Sequence, residues 1–545
     1  MYYSRGANPK FGIVAEEFDK IRHRGPDNTT LKKISLSDEQ CIYIGFHRLS
    51  IMDTSENGDQ PFESGDTTVI CNGEIYNYLE LQSDYLNDSG YTFKSKSDCE
   101  VILPIYHKYG INGVCNLLRG EYACIIYDNT KKEIFAVADF LRTRPLFIGY
   151  GDNGELALGS EVKCIQNLPG INEVKPFPPG VYWSSCSPRD FIQYHSFKKI
   201  VVNPNIDYQT AVRQVRHLLN KAVIKRLNTD QPIGYFLSGG LDSSLCASIG
   251  QHNTVTPIKT FTASFTKDGP DLLAARLVAD YIKSEHYEYI FSIEDGIKAV
   301  NRVIKILETY CCTTIRASVP QLLLCEAIKR DHPEIKVMIS GENSDEIFCG
   351  YEYFKYAPNA EESRKESIRR EEQVFMYDGL RPDRTVASVS MELRVPFTDQ
   401  ELVDYVMTLN PEYTRAPTKQ EIVEGKVEKQ LLREAYESGM LPDKILYRSK
   451  MGLSDSCGLG WVDHLKKYAE TIVGDDLFNE RLNKFPDDPP RTKEEYWYRS
   501  IFELYYPSQT CLIKSHWMPQ QEWFDEVIID PSARAIGTFK VTKIE

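Results

Sequence analysis

The sequence predicts an α/β protein in two parts: an antiparallel sandwich with helices on its faces over residues 1–195, a linker at 196–207, and a doubly wound parallel sheet over 208–545. Three observations carry this. Residues 1–183 read as many short strands with few helices. From Tyr208 onward, apolar runs alternate with helical patterns. Pro232 to Leu237, a strand-like run, meets Ser238-Gly239-Gly240-Leu241-Asp242-Ser243-Ser244 and then a helical pattern.

In the first part, Cys41 to Met52 and Thr67 to Cys71 are strand-like, and Asn72-Gly73 reads as a turn. Asp98 to Tyr109 has helical spacing, with Val101, Ile102, Ile105, Tyr106 and Tyr109 on one face. Glu121–Asp128 and Glu133–Ala138 form a hairpin across 129–132, and Leu156 to Ser160 is a further strand. Several polar residues here suit an amino acid ligand. Arg48 suits an α-carboxylate, Asp98 an ammonium group, and Asn72, Gly73 and the backbone at Ile51 an amide.

Pro176 to Gly180 closes that pattern, and the boundary falls near 195–207. Tyr208 to Leu227 is an amphipathic helix, with Val212, Val215, Leu218, Leu219, Ala222 and Val223 on one face. Lys259–Phe265 and Lys336–Ser340 are buried strands, and Asp271 caps a helix to Lys283. Strand, small-residue loop and helix at 232–244 present backbone N–H groups to an anion. Hydroxyls of Ser238, Ser243 and Ser244 add donors, and no lysine follows as in a kinase-type phosphate loop. Asp242 suits magnesium held with phosphates, and Asp345, in Ser340-Gly341-Glu342-Asn343-Ser344-Asp345-Glu346, suits the same ion. Doubly wound sheets bind ligands beyond their C-terminal strand ends, which puts both loops at one mouth. Glu342 suits a general base, Lys450 a phosphate contact, and Arg381 to Arg384 buried ion pairs.

Composition narrows the classes. At 545 residues the chain exceeds one core. Its formal charge of −14, with no basic run, argues against general nucleic-acid binding. Fourteen scattered cysteines without a Cys-x-x-Cys pair suit reduced thiols. With no apolar leader and no apolar run near ~20 residues, a soluble cytoplasmic protein without membrane partners is expected.

Four first-part stretches occur in a telling order: Arg22 to Asp27, His47 to Asp53, Asn72 to Asn77, and Ser97 to Glu100. They resemble the class II glutamine amidotransferase domain. The resemblance implies glutamine binding by Arg48, Leu49, Ser50, Ile51, Met52, Asn72, Gly73, Glu74 and Asp98, with Asn72 and Gly73 in an oxyanion hole. The later stretches are Ser238 to Ser244, Pro270 to Arg276, Glu308-Thr309-Tyr310, Thr313 to Ser318, Ser340 to Glu346 and Asp530 to Arg534. Together with the first four they resemble, nearly end to end, the glutamine-hydrolysing asparagine synthetase family. That implies an ATP pyrophosphatase-type second domain, with ATP and aspartate as substrates, glutamine or ammonia as nitrogen source, magnesium, and a homodimer. ATP would be held by Leu237, Ser238, Gly239, Gly240, Asp242, Ser243, Ser244, Ala263, Ser340 and Gly341. Asp242 and Asp345 would hold the metal. Glu342, Lys450 and Arg316 would be catalytic.

The chain departs from that pattern in places. It opens Met1-Tyr2-Tyr3, with no cysteine before Cys41, whereas the family attacks glutamine with an N-terminal cysteine. The residues as given therefore predict loss of glutamine hydrolysis. Arg142, Asn343, Cys349 and Ser456 stand where glycine is common, Thr398 where leucine is, and Met451 where an acid is. Alternatives are an ammonia-only aspartate ligase, a β-lactam synthetase-like enzyme (which carries Tyr at Glu342), and a binding protein without activity.

Overall fold

Side chains of Gly120–Asp128 alternate between two apolar layers. Tyr122, Cys124 and Ile126 join a cluster with Ile102, Ile105 and Tyr106 of the neighbouring helix, while Ala123, Ile125 and Tyr127 join one with Ile42, Ile148 and Trp183. A strand buried on both faces sits between a sheet and a helix layer, and the first unit is built that way. The structure, a computed structural model, describes all residues except 6–8, 451, 453–456, 459, 514, 531–540 and 543–545. Met451, Ser456 and the tail from Pro531 to Arg534 lie outside the described residues. The chain divides into two units: Met1–Ser196 with Asn228–Gln231 and Ala387–Glu392, and the remainder.

Two six-stranded sheets make up the first unit. One is centred on Tyr2–Arg5 and Gln40–Arg48, the other on Gly120–Asp128 between Thr67–Ile75 and Glu133–Ala138, and their pairings are antiparallel. The hairpin turns between Asp128 and Glu133 as predicted. Asn72-Gly73 is not a turn. The strand runs on to Ile75, with Asn72 opposite Ala123 and Gly73 opposite Tyr122. Gly73 has φ +135°, and a Cβ there would lie 1.9 Å from the Glu121 carbonyl oxygen, so the glycine serves close strand approach. The helical stretch from Asp98 starts as a 3-10 turn and continues as Ile102–Leu117, bent at Gly110. Val101, Ile102, Ile105 and Tyr106 are buried as read, but Tyr109 is exposed.

The second unit contains a sheet of β1 (Ile233–Phe236), β2 (Lys259–Ser264), β3 (Glu285–Ile290), β4 (Val337–Ile339) and β5 (Glu392–Arg394), in the order β3-β2-β1-β4-β5. β1 pairs in parallel with β2 and β4, and β2 with β3. This is a doubly wound order, with the direction of winding reversing between β1 and β4. The helix Tyr208–Lys225 turns Val215, Leu218, Leu219, Ala222 and Val223 inward, and the side chain of Asp207 caps it. The helix after β2 starts one residue earlier than predicted. Gly269 is its cap and Pro270 its first residue, because proline has no N–H to lose there. Asp271 lies in its first turn.

Arg142, Asn343 and Cys349 adopt φ of +54°, +72° and +50°. The left-handed turns are thus kept without glycine. Asn343 donates from Nδ2 to the Phe397 carbonyl at 3.2 Å, which anchors one of them. Asn343→Ala is expected to cost about 1–2 kcal/mol, since alanine keeps the left-handed penalty and loses the bond. Asn343→Gly is expected to cost less than half of that. Urea unfolding of the two variants beside the parent checks the ordering.

Candidate active site

β1 and β4 are neighbours whose following loops part in opposite directions, so a crevice opens at their C-terminal ends. Both predicted loops line it. Gly239 has φ +69°, and a Cβ there would lie 2.4 Å from the Ala274 carbonyl carbon, so the first loop closes tightly. The loop is held by its own hydroxyls. Ser238 N–H donates to Ser243 Oγ at 3.2 Å, Gly240 N–H donates to Ser238 Oγ at 3.2 Å, and the two hydroxyls meet at 3.0 Å. Gly240 then caps the helix Leu241–His252, whose first turn carries Asp242.

The floor of the cleft is a row of alternating charges. Lys429 Nζ lies 2.7 Å from Asp242 Oδ2 and 2.7 Å from Asp345 Oδ1. Lys450 Nζ lies 2.5 Å from Asp345 Oδ2. Ser344 Oγ donates to Asp242 Oδ1 at 2.7 Å. Burial pushes the Asp345 carboxyl up, but Lys429 and Lys450 outweigh it and hold it at about 2. Burial works against the Lys450 ammonium as well, and Asp345 and Asp242 raise it well above its ordinary value. The Lys429 side chain is only 2% exposed. A buried ammonium needs two carboxylates to offset its lost hydration.

One wall carries a second polar set. Arg381 donates to Glu342 Oε2 at 2.7 Å and to Gln321 Oε1 at 2.7 Å, with Asp378 at 3.5 Å. Tyr351 O–H donates to Glu346 at 2.5 Å and lies 3.1 Å from Asp378, while its ring packs edge-on to Trp517. The cleft lining also has an apolar part in Phe236, Leu237, Phe261 and Ala263. Such a cleft suits a planar apolar group against that part, an anion over the row, and a small polar molecule against Glu342 and Arg381.

An asparagine synthase family model matches residues 214–370 and 356–528, and a glutamine amidotransferase domain model matches residues 3–202. A relative from Homo sapiens named "Asparagine synthetase [glutamine-hydrolyzing]" is 37% identical over 96% of this chain and 95% of its own length. One from Dictyostelium discoideum, named "Probable asparagine synthetase [glutamine-hydrolyzing]", is 38% identical over 95% and 94%. The chain belongs to the asparagine synthetase family. Among solved structures, the glutamine phosphoribosylpyrophosphate amidotransferase of B. subtilis overlaps at a TM-score of 0.30 and 18% identity, over 46% of this chain and 63% of that one. An overlap that slight supports no reading of function.

The asparagine synthetase resemblance named ten ATP-side residues, and the cleft is lined by Leu237, Ser238, Gly240, Asp242, Ser243, Ala263, Ser340 and Gly341. Gly239 and Ser244 stand outside that lining. Gly239 is pressed against the helix Pro270–Ile282, and Ser244 is wholly buried with no free face for a phosphate. Glu342, Lys450 and Asp345 line the cleft. Arg316 does not. Its guanidinium is 2% exposed and bonds Glu494 at 2.9 and 2.6 Å and Asp530 at 2.9 Å, which ties three segments of the unit together. Arg381 and Arg384 form the buried ion pairs expected of them, Arg384 with Glu308 at 2.9 Å and Arg381 with Glu342, and Arg381 also lines the cleft. Lys429, Tyr351, Asp378 and Trp517 went unnoticed, because nothing local distinguishes them from surface or core residues.

On the glutamine side, Arg48 is already answered by its own chain. It donates to Asp59 at 2.6 Å and Ser55 O at 2.6 Å, and also to the Met52 and Asp53 carbonyls. Asp98 accepts the Ile75 N–H at 2.5 Å. Ile51, Glu74 and Asp98 are buried, and Leu49, Ser50 and Met52 belong to the loop that leaves the strand at Arg48. Asn72 Nδ2 is buried with no hydrogen-bond partner among the described residues.

Lys429→Met is expected to lower stability by about 3–5 kcal/mol, by leaving two buried carboxylates without their shared cation. Asp345 is depressed, so its contribution is complete above the ordinary carboxyl range and is lost as pH falls toward 2. The variant should therefore lose less further stability on acidification than the parent, read from urea midpoints between pH 6 and pH 3.

Proposed function

We propose that this protein amidates aspartate to asparagine at the expense of ATP. The row Asp242–Lys429–Asp345–Lys450, in one cleft with the apolar Phe236, Leu237, Phe261 and Ala263 and the Glu342–Arg381 pair, carries the reading. Adenine fits the apolar part, with backbone at Leu237 and Ala263 beside it. The triphosphate crosses the row and the N-terminus of the helix from Leu241. Aspartate's side-chain carboxylate oxygen attacks the α-phosphorus. The P–O bond to the β-phosphate breaks, and pyrophosphate leaves against Lys450 and Lys429. Ammonia then attacks the acyl carbon of the aspartyl adenylate, AMP departs with the C–O electrons, and Glu342 takes the proton.

Asp242 and Asp345 suit magnesium shared with phosphate oxygens, because both line the cleft and carboxylate oxygens accept more than one partner. They do not suit an ion held by protein alone, since the described residues include no group of three or more metal-binding side chains. When bound, the ion would offset charge on the departing pyrophosphate. In this reading residues 1–195 form the glutamine-binding domain and 208–545 the synthetase domain.

The nitrogen comes from glutamine or ammonia. Cys99 is the thiol beside the expected oxyanion hole, with Sγ 3.2 Å from the Gly73 carbonyl oxygen. A hydrogen bond with Cys71, burial and the Asp98 charge all push its thiol well up, so it makes a poor nucleophile.

Purified protein with ATP, magnesium and aspartate is expected to release AMP and pyrophosphate, and to yield asparagine with ammonium salts. No aspartate-dependent AMP would overturn the ligase reading. Glutamate released from glutamine in step with asparagine would assign the nitrogen to glutamine, and asparagine with ammonium salts alone would assign it to ammonia. Glu342→Gln should keep aspartate-dependent pyrophosphate release and lose asparagine by about 100-fold, and an unchanged asparagine yield would remove Glu342 from the mechanism.

A further inference from the structure

Behind the Trp517 wall of the cleft lies a second constellation that the ligase chemistry does not use. Cys311 is buried at the N-cap of the twenty-residue helix Cys312–Asp331. Its sulfur accepts the Trp517 N–H at 3.5 Å and faces the imidazole of His516. His516 Nε2 lies 2.7 Å from Asp488 Oδ2, which also accepts the Tyr310 O–H at 2.7 Å. The carboxylate fixes the ring, so that Nδ1 turns inward. That nitrogen is buried and is the ring atom left to act on the Cys311 sulfur. Nucleophile, base and orienting carboxylate therefore stand in the order that activates a thiol. Helix N-terminus and imidazolium both favour a sulfur anion.

Other groups facing the sulfur are the Tyr377 phenol, the Arg491 guanidinium and the Thr314 hydroxyl. Burial pushes the Cys311 thiol up, but His516 and its other donors outweigh this and leave it below its ordinary value. Burial depresses His516, and Asp488 and Cys311 more than compensate, bringing it to about 10. The surroundings thus favour the sulfur anion and the imidazolium over the neutral pair. The thiol is enclosed, and His516 and Asp488 beside it are 17% and 34% exposed, the solvent-facing side of the cluster.

We propose that Cys311 is a modification site for hydroperoxides, with His516 and Asp488 as its positioning residues. The sulfur attacks the terminal peroxide oxygen, and an S–O bond forms as the O–O bond breaks. Sulfur is oxidised to a sulfenic acid, and the leaving oxygen departs as hydroxide from hydrogen peroxide, or as an alkoxide from an organic hydroperoxide, and is then protonated. The new oxygen competes for the Trp517 N–H, so the state of the sulfur reaches the cleft wall.

The test uses the full chain with hydrogen peroxide, a sulfenic-acid trap and peptide mass spectrometry, with exposed Cys186 and Cys511 as internal references. Below neutral pH, Cys311 is expected to be trapped about tenfold faster than either reference. His516→Gln and Asp488→Asn should each slow Cys311 about tenfold and leave the references unchanged. Peroxide should also lower aspartate-dependent AMP release in the parent and not in Cys311→Ser. An untrapped Cys311 beside reacting references, or a Cys311 rate indifferent to both variants, overturns the proposal. The trapping result stands whether or not the ligase reading survives.

Discussion

A buried ammonium between two buried carboxylates is the constraint on which the second unit depends. Lys429 arrives from a segment 187 positions after Asp242, and it closes the gap between the loops that follow β1 and β4. Without the lysine, two carboxylates would face each other in a low-dielectric crevice, and one would have to take a proton. With it, and with Lys450 on the far side of Asp345, two negative and two positive groups balance. The crevice can then stand open between strand ends that the doubly wound topology would otherwise have to fill.

The fold was legible where its signals are local. The loops at 238–244 and 340–346 carry their small residues and carboxylates in short runs, and the strand–loop–helix order tells which end of the sheet they occupy. Reading failed where a long-range partner decides. Asn72-Gly73 has the composition of a turn, but the strand Gly120–Asp128 pairs straight through it, and the missing Cβ serves that approach. Arg316 has the look of a phosphate ligand, yet Glu494 and Asp530, 178 and 214 positions later, absorb it. Arg381 shows the other half of this: it is the buried ion pair its neighbours in sequence suggest, but that its partner is the proposed base is visible only in three dimensions. A cation's role follows from which anion reaches it, and spacing along the chain does not encode that.

The positive-φ residues show how a backbone outlives its glycines. Arg142, Asn343 and Cys349 hold the left-handed region at a cost of about 1–2 kcal/mol each. Each is fastened by its surroundings. Arg142 donates to the Phe177 carbonyl at 2.9 Å and lies over the Phe147 ring. Asn343 reaches Phe397, and Cys349 is packed among Tyr351, Tyr353 and Trp517. Two of the three flank Asp345, so the strain sits where the carboxylate must be aimed.

That placement bears on how the row changes when a substrate arrives. On the proposed reading, phosphate oxygens would compete with Asp242 and Asp345 for the two ammonium groups, and each lysine that turned to phosphate would leave a carboxylate oxygen free for a shared cation. The row, self-neutralised by its own ion pairs, would then become a set of donors and acceptors. Such an exchange requires that the carboxylates stay still while the lysines shift. Asp345 meets that condition through its backbone. Its carbonyl accepts the Gly350 N–H at 2.9 Å, and left-handed residues stand on both sides of the short helix that carries it. Rigidity at the acid and mobility at the base divide the labour of the site, and four-bond lysine stems beside a one-carbon aspartate stem supply that division directly.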